Sequence, residues 1–205
     1  MARDLESIVK RSRREGYALH PKAHKALVKR PTPPGQVGND RRRNKASQYS
    51  LQLREKQKVK RLYGLLERQF AKLMSEATRT RGQSGATLLQ FLERRLDNAI
   101  YRSGFAVSRR AARQLVTHGH FMLNGRRIDI PSIRVNIGDE ITLRDHAKNT
   151  EYFKQIDIVS PAPATIPVWL KVDRKKIQVS ITGLPTREHA EPDIKEQLIV
   201  EYYSR

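Results

Sequence analysis

The sequence predicts an α+β fold, because segments with helical periodicity come first along the chain and segments typical of short strands come later. Apolar residues recur at spacings of three and four between Ala46 and Ala77, which indicates an amphipathic helix. A second helical pattern opens at Thr87, and strand-like segments begin near residue 120. The strands do not alternate with helices, which favours a small antiparallel sheet over a parallel sheet built from βαβ units.

The local signals between residues 87 and 182 predict two short helices packed on that sheet. Thr87 and Gln90 have the spacing of a capping box at the start of the first helix, and Ser108 is the expected cap of the second. The dipeptide Asn124-Gly125 predicts a type I′ hairpin. The segments RVNIGDEITL and IPVWLKVDRKKIQVSI each predict a further pair of strands, and EQLIVEYYSR predicts a short strand or helix.

Composition limits what the protein can be. No stretch approaches about 20 uninterrupted apolar residues, so no membrane-spanning segment and no membrane partner is predicted. The start, MARDLESIVKRSRREG, has no apolar core and contains acids, unlike a secretory signal or a transit peptide. The absence of cysteine excludes disulfides, thiolate zinc sites, iron-sulfur clusters and a cysteine nucleophile. We therefore expect a soluble, cytoplasmic protein.

The net charge of +20 is distributed unevenly along the chain. Residues 1–135 hold 31 Lys and Arg against 10 Asp and Glu, whereas residues 136–205 hold 10 against 11. A surface this cationic repels itself unless a polyanion compensates it. Much of the charge lies in polar loops that contain proline, rather than on an amphipathic helix, so nucleic acid is favoured over a membrane surface as the partner.

The amino-terminal half combines a basic extension with a basic helix. Residues 1–45 are rich in turn-forming and cationic residues and are expected to become ordered on a partner, with a basic loop around His20 and His24. On the following helix, Lys56, Lys60 and Arg61 fall outside the apolar stripe. That helix is therefore predicted to have one core face and one cationic face.

His118 and His120, two positions apart, are the residues that most suggest a metal site. At the junction of a helix end and a strand, however, the two rings need not converge, and the segment offers no third ligand. A capping or RNA-contacting role is favoured for these histidines. We predict no metal and no other cofactor.

The sequence shows no catalytic constellation. Glu93 and Asp97 lie one helical turn apart, but pairing with Arg94 or Arg102 on the same helix is the simpler interpretation. The segment PPGQVGN lacks the Lys-Ser/Thr of a nucleotide-binding P-loop. A non-enzymatic protein without a small-molecule substrate is therefore predicted.

Donor side chains in the middle of the chain form the predicted binding surface. The helix that follows Ser108 is expected to project four of them outward, namely Arg109, Arg110, Arg113 and Gln114. Arg94 and the hairpin residues Arg126 and Arg127 are expected on the same side. Guanidinium groups bind phosphate bidentately, so this surface predicts shape and phosphate recognition of structured RNA. Replacing Arg109 and Arg113 should then weaken RNA binding and leave stability unchanged.

Residues 88–132, LLQFLERRLDNAIYRSGFAVSRRAARQLVTHGHFMLNGRRIDIPS, resemble the S-four RNA-binding module. This small fold also occurs in some pseudouridine synthases, in tyrosyl-tRNA synthetases and in a heat-shock ribosome-binding protein. The flanking segments SRREG, PPGQVG, LQLREKQKVKRLYGLLERQF and PTREHAEPDIKEQLIVEYYSR are similar, in the same order, to the bacterial small-subunit ribosomal S-four family. The resemblance therefore covers nearly the whole chain.

The resemblance implies a helical domain with an inserted α+β RNA-binding module. Residues 1–45 would be a basic rRNA-binding extension, residues 46–86 with 183–205 the helical domain, and residues 87–182 the module. It further implies primary binding of the five-prime domain of 16S rRNA at a multi-helix junction, early in assembly of the subunit body. Ribosomal proteins S-five and S-three, and messenger RNA near the channel through which it enters, are the other implied partners.

The resemblance also bears on individual residues. Arg41, Arg42, Arg43 and Lys45 become candidates for RNA contacts near the messenger channel. The cysteine-based zinc site of some relatives is absent here, and Val37 replaces the histidine of the family's PPGQHG loop. The full set of candidate rRNA-binding residues is Arg11, Arg13, Arg14, Arg41, Arg42, Arg43, Lys45, Lys56, Lys60, Arg61, Arg94, Arg109, Arg110, Arg113, Gln114, His118, Asn124, Gly125, Arg126, Arg127, Ser132 and Arg134.

Two alternative functions use the same module. An RNA-modifying enzyme of the pseudouridine-synthase type would need a further catalytic domain. A dedicated messenger-binding regulator would be found off the ribosome, although some members of the ribosomal family themselves repress translation of their own messenger. The leading hypothesis is a structural ribosomal protein with possible self-repression.

Overall fold

The computed structural model describes residues 6–35, 46–163 and 165–205. Over these residues the helices are α1 (Ile8–Glu15), α2 (Pro21–Lys29), α3 (Gln48–Leu62), α4 (Glu67–Arg79), α5 (Ser84–Glu93), α6 (Leu96–Arg102), α7 (Arg109–Thr117), α8 (Asp145–Lys148), α9 (Glu151–Lys154), α10 (Ile156–Val159) and α11 (Glu196–Tyr203). The strands are β1 (Phe121–Leu123), β2 (Arg126–Ile128), β3 (Glu140–Leu143), β4 (Leu170–Asp173) and β5 (Gln178–Ile181). The α+β fold class is confirmed.

The chain divides into two compact units. The first contains the described residues up to Leu88 together with Asp193–Arg205, and the second is Leu89–Pro192. Within the first unit α11 packs along α3, and α1 packs on α2 and α3. The carboxyl-terminal segment that the sequence left open as strand or helix is thus a helix.

Helix α2 contradicts the expected basic loop around His20 and His24. Pro21 occupies the first turn, where its fixed φ suits the start of a helix. The His20 ring accepts a hydrogen bond from the backbone N–H of Lys22 at 3.1 Å and so caps the helix. Ala23 is fully buried, so this part of the extension has a packed side of its own.

The helical pattern predicted from Ala46 to Ala77 forms two helices, α3 and α4, instead of one. Gly64 lies between them with a φ of +66°, a conformation that other residues rarely adopt. Val59 before the turn and Phe70 after it are both fully buried. The periodicity therefore gave the correct core face, and the prediction of continuity was wrong because a turn at Gly64 separates the two helices.

The predicted cationic face of α3 is wrong for Lys56, whose side chain is buried. Its Nζ lies 2.8 Å from a carboxylate oxygen of Glu67 on α4 and 4.5 Å from the ring centroid of Tyr202. Lys60 contacts the other Glu67 oxygen at 2.7 Å, and the Tyr203 hydroxyl donates to Glu67 at 2.8 Å. Burial raises the pKa of Glu67, but these three hydrogen bonds outweigh it and lower the pKa to about 2. One carboxylate thus joins α3, α4 and α11.

Arg54 and Arg61 of α3 are also used inside the first unit. Both contact the carboxylate of Glu15 on α1, and the Arg54 Nη1 lies 3.2 Å from it. The Glu15 side chain is fully buried, and this burial raises its pKa despite the two arginines. Arg61 was predicted to belong to an exposed cationic face, and that placement is wrong because Glu15 holds it between helices.

The helix predicted to open at Thr87 starts earlier than predicted. Helix α5 begins at Ser84, three residues before Thr87. The side chain of Gln90 donates to the carbonyl oxygen of Pro185 at 3.2 Å, so it does not close the predicted capping box. The capping pattern was therefore misinterpreted, since its glutamine serves a distant segment.

The first module helix is also interrupted between α5 and α6. The N–H of Val135 donates to the carbonyl oxygen of Arg94 at 2.9 Å, and Arg95 forms an isolated antiparallel bridge with Arg134. The segment RVNI is therefore not the first strand of a hairpin, as predicted. It is bound to the helix break instead.

Within the described residues, five strands form one antiparallel sheet in the order β2-β1-β3-β5-β4. The predicted hairpin joins β1 and β2, with φ values of +50° at Asn124 and +76° at Gly125, as a type I′ turn requires. The predicted pair β4 and β5 is also present. Phe105, Phe121 and Val116 are fully buried in the core between this sheet and the helices.

Replacing Glu67 by Gln should destabilise the protein in a pH-dependent way. We expect a loss of about 1–2 kcal/mol at pH 7, below the value for a fully buried pair because nearly half of the Glu67 side chain is exposed. A carboxylate with a lowered pKa stabilises the fold above its unfolded pKa near 4.5, and this contribution is lost as the pH falls towards 2.

Urea unfolding of the wild type and the Glu67→Gln variant at several pH values tests this prediction. The difference in free energy of unfolding should shrink between pH 4.5 and pH 2. Replacing the exposed Glu188 by Gln is the control and should give a small difference at every pH. A difference for Glu67→Gln that does not depend on pH would contradict the prediction.

Candidate nucleic-acid interface

An exposed row of side chains follows one face of α7. Ser108 caps the helix by accepting a hydrogen bond from the N–H of Ala111 at 3.2 Å, as predicted. Arg110, Gln114 and His118 are exposed and lie four residues apart, so they share one face of the helix. The opposite face is in the core. This row presents a guanidinium, an amide and an imidazole to solvent.

The β1–β2 hairpin adds two exposed arginines, and one of them, Arg127, lies next to the end of this row. Arg126 and Arg127 are both exposed. Gly119 follows α7 with a φ of +69°, and a Cβ built on it would lie 2.9 Å from Nε of Arg127. The Arg127 guanidinium therefore lies over Gly119, beside His118. We call the set Arg110, Gln114, His118, Arg126 and Arg127 the α7–hairpin ridge.

Arg109 and Arg113 do not project outward, and this part of the prediction is wrong. The Arg109 Nε donates to Asn98 at 2.9 Å, its Nη2 donates to Glu191 at 2.9 Å, and its guanidinium lies 4.6 Å from the ring centroid of Tyr101. Arg113 Nη1 lies 3.5 Å from a carboxylate oxygen of Asp97. The spacing of four residues placed these arginines together correctly, but acids from other elements hold them inside the module.

Glu93 is the centre of this internal network. Its side chain is fully buried and accepts hydrogen bonds from Asn98 at 2.8 Å and from both nitrogens of the Arg102 fork at 2.9 and 3.1 Å. Because Asn98 also accepts from Arg109, the network connects the break between α5 and α6 to the first turn of α7. The predicted pairing of Glu93 with Arg102 is confirmed.

The partners predicted for Asp97 and Arg94 are wrong. Asp97 pairs with its neighbour Arg95 at 2.7 Å, whereas Arg94 donates through Nε to the carbonyl oxygen of Val135 at 2.9 Å. Burial, and next the positive charge of Arg134, lower the pKa of Arg94. Two of the candidate arginines, Arg94 and Arg134, are thus close together at the helix break.

The remaining candidate residues of the second unit have different surroundings. Arg134 is half-buried, with its guanidinium 4.2 Å from the ring centroid of Phe91, and Ser132 is exposed. The Asn124 amide donates to Asp139 at 2.8 Å and its oxygen accepts from the N–H of Glu140 at 2.9 Å, which fixes the hairpin. A Cβ on Gly125 would meet open space, so the backbone at the hairpin tip is accessible.

Candidate residues of the first unit are described only in part. Arg11 pairs with Glu6 at 2.9 Å, Arg13 donates to the carbonyl oxygen of Thr32 at 3.0 Å, and Arg14 is exposed. Four further candidates lie outside the described residues, namely Arg41, Arg42, Arg43 and Lys45. The contribution of these four to RNA binding stays a prediction.

Two other predictions concern metals and membranes. In the part of the chain that the structure describes, no group of three or more His, Asp and Glu side chains could hold a metal ion. None of the helices described is long and apolar enough to cross a membrane.

Replacing Glu93 by Ala should unfold the module more easily. Removing one partner of a buried charge pair leaves the other uncompensated, so we expect the free energy of unfolding to decrease by about 3 kcal/mol or more.

Joint replacement of Arg109 and Arg113 by Ala should also lower the stability. The sequence predicted no change because both side chains were expected to be exposed, whereas the structure pairs them with acids. Chemical unfolding measures both, and Gln114→Ala on the exposed row is the control, with a change within about 0.5 kcal/mol. Equal stability of Glu93→Ala and the control would contradict this role.

Comparison with known proteins places these features in a family. A family model described as "Ribosomal protein S4/S9 N-terminal domain" matches residues 3–93, and one described as "S4 domain" matches residues 94–141. The small ribosomal subunit protein uS4 of Roseiflexus castenholzii is 48% identical over 206 residues, with 100% of each chain covered. The proteins of the same name from Herpetosiphon aurantiacus and Chlorobaculum tepidum are 50% and 48% identical, again with 100% of each chain covered. The chain therefore belongs to the uS4 family and is a structural, non-enzymatic protein of the small ribosomal subunit that binds its RNA.

Proposed function

We propose that this protein is a primary binder of the five-prime domain of small-subunit rRNA, where it grips a multi-helix junction and nucleates assembly of the subunit body. The observation that supports this proposal best is the α7–hairpin ridge. Its three arginines are exposed, whereas the side chains of Arg109 and Arg113 are mostly buried against acids of the module. The ridge therefore presents guanidinium groups at the surface, where a large polyanion has access to them.

The chemistry of the ridge favours structured RNA. Its side chains are three arginines, one glutamine and one histidine, all of which can donate hydrogen bonds to phosphate or to ribose hydroxyls. Double-stranded RNA is recognised mainly by shape and by contacts to phosphates and 2′-hydroxyls, because its deep groove excludes side chains. A rigid ridge of this kind fits the crowded phosphates where several RNA helices meet.

Further partners follow from the family. We propose contacts with ribosomal proteins S-five and S-three, and with messenger RNA near its channel through Arg41–Arg43 and Lys45, where they would contribute to translational accuracy. Repression of the protein's own messenger would use the same α7–hairpin ridge. Because one surface cannot hold two structured RNAs at once, rRNA and messenger would then compete for the protein. The full-length match to ribosomal relatives favours this function over that of an RNA-modifying enzyme.

Replacing Arg126 and Arg127 together by Gln should weaken binding to a five-prime-domain transcript. We expect the affinity at moderate salt to decrease by a factor of about ten or more. The slope of log affinity against log salt concentration should be smaller in magnitude by about two. Filter binding over a series of salt concentrations measures both quantities. The fold should be retained, because both side chains are exposed.

The charge-matched control is the joint replacement of Lys175 and Lys176 by Gln. These lysines are also exposed, but they lie in the turn after β4, at the edge of the sheet opposite to β2. Their loss should change the slope much less. Equal effects of the two double variants would mean that RNA binding is not localised on the ridge, and a wild-type affinity independent of salt would contradict the proposed function.

Omitting the protein from reconstitution of small subunits should reduce the binding of other proteins of the five-prime domain. A junction that is not held by a primary binder keeps its helices apart, so later proteins lack their complete sites. Quantitative mass spectrometry of the purified particles measures this effect, and adding the protein back first should restore it. Undiminished binding of all other proteins would contradict a nucleating role.

A further inference from the structure

Several segments of the second unit converge at Gly119, beyond the α7–hairpin ridge. Helix α7 ends just before it and β1 begins just after it. The Arg127 guanidinium of β2 lies over it. Arg144, which follows β3, donates through Nη1 to the carbonyl oxygen of Gly119 at 3.1 Å and through its backbone N–H to that of His120 at 2.9 Å. Two arginines, one in β2 and one just after β3, therefore meet at one glycine.

Three histidines lie near the same point. The rings of His118 and His120 have centroids 5.9 Å apart, and His120 packs edge-on against Phe153 of α9 at 5.6 Å. His146 is exposed in the first turn of α8, two residues after Arg144. We call the set His118, His120, Arg127, Arg144 and His146 the Gly119 junction.

The net field at the Gly119 junction is positive. Burial, and next the charges of His118, Arg144 and His146, lower the pKa of His120. The nearby acids do not reverse this direction. Asp145 is exposed and pairs with Lys148 at 2.7 Å, and this hydrogen bond lowers the pKa of the Asp145 carboxyl.

Acids on the adjacent elements are also exposed. Asp129 directly follows Ile128, the last residue of β2, which pairs with Phe121 of β1. Its side chain is exposed. On α9, Glu151 and Lys154 are both exposed and carry opposite charges. These exposed acids are solvated, so the arginines and histidines of the Gly119 junction remain its main charged or titratable groups.

We propose that the Gly119 junction is a binding site for an RNA phosphate, with protons taken up by its histidines as the phosphate binds. The proposal rests on the proposed function of the module as an rRNA binder and extends its surface from the ridge to Arg144 and His146. Phosphate is favoured over a metal ion, because no group of His, Asp and Glu in the described residues could hold a metal. A neutral imidazole offers one N–H donor, whereas a protonated one offers two donors and a full charge.

Affinity for RNA should therefore rise as the pH falls from 8 to 6. A bound phosphate interacts more favourably with protonated than with neutral imidazoles, so phosphate binding is coupled to proton uptake and the affinity increases towards lower pH. With several histidines at the site, a gain of about fivefold or more between pH 8 and pH 6 is expected for the wild type.

The experiment measures binding of the full chain to a five-prime-domain transcript at pH 8, 7 and 6 and constant ionic strength. Replacing His118 and His146 together by Gln should abolish most of the gain in affinity between pH 8 and pH 6. Both side chains are exposed, so the fold should be retained, which circular dichroism checks. Arg127→Gln should lower the affinity at every pH, because arginine stays charged throughout.

The control is His24→Gln, an exposed histidine of the first unit, which should keep the full pH dependence. If His118→Gln/His146→Gln shows the same gain as the wild type, or if His24→Gln abolishes the gain, the proposed phosphate site is overturned. A pH-independent wild type that still binds RNA with a steep salt dependence would overturn the site and leave the rRNA-binding function intact. Binding that does not respond to salt would instead contradict the proposed function itself.

Discussion

The hydrogen bonds of the buried Glu93 carboxylate are the interaction on which the proposed RNA-binding face of the module depends. It accepts hydrogen bonds from Asn98 and Arg102, and Asn98 in turn accepts from Arg109 at the start of α7. A buried charge is tolerated only when it is fully bonded, so each of these partners is required where it is. The network connects the first turn of α7 to the break between α5 and α6, and so helps to fix the helix that carries the exposed row with Arg110.

The network also explains why neighbouring arginines have different roles. Arg109 and Arg113 are bound by Glu191 and Asp97, and they hold α7 in place. Arg110 lies next to Arg109 in the sequence but on the exposed face. On the proposed function, the two kinds of arginine complement each other, since a guanidinium group that contacts phosphate is effective only when its helix is held in place.

Features that depend on nearby residues could be predicted from the sequence. The Asn124-Gly125 turn and the Ser108 cap are determined by the local backbone, and both are present. Features that depend on distant partners could not. Arg109 meets Glu191, which is 82 residues away, and no spacing within α7 indicates that pairing. For the same reason the sequence named His118 but missed Arg144, whose position at Gly119 results from the pairing of β1 with β3.

Acids in the nearly neutral last third of the chain contact side chains of the basic part. Residues 136–205 carry no excess of positive charge, yet their acids are placed against residues from the basic part. Glu191 contacts Arg102 and Arg109, and Asp139 fixes the hairpin through Asn124. These acids compensate arginines inside the module, whereas the arginines of the α7–hairpin ridge are exposed. The ridge is therefore an exposed cationic surface to which a polyanion would be attracted, although arginine is distributed throughout the sequence of the module.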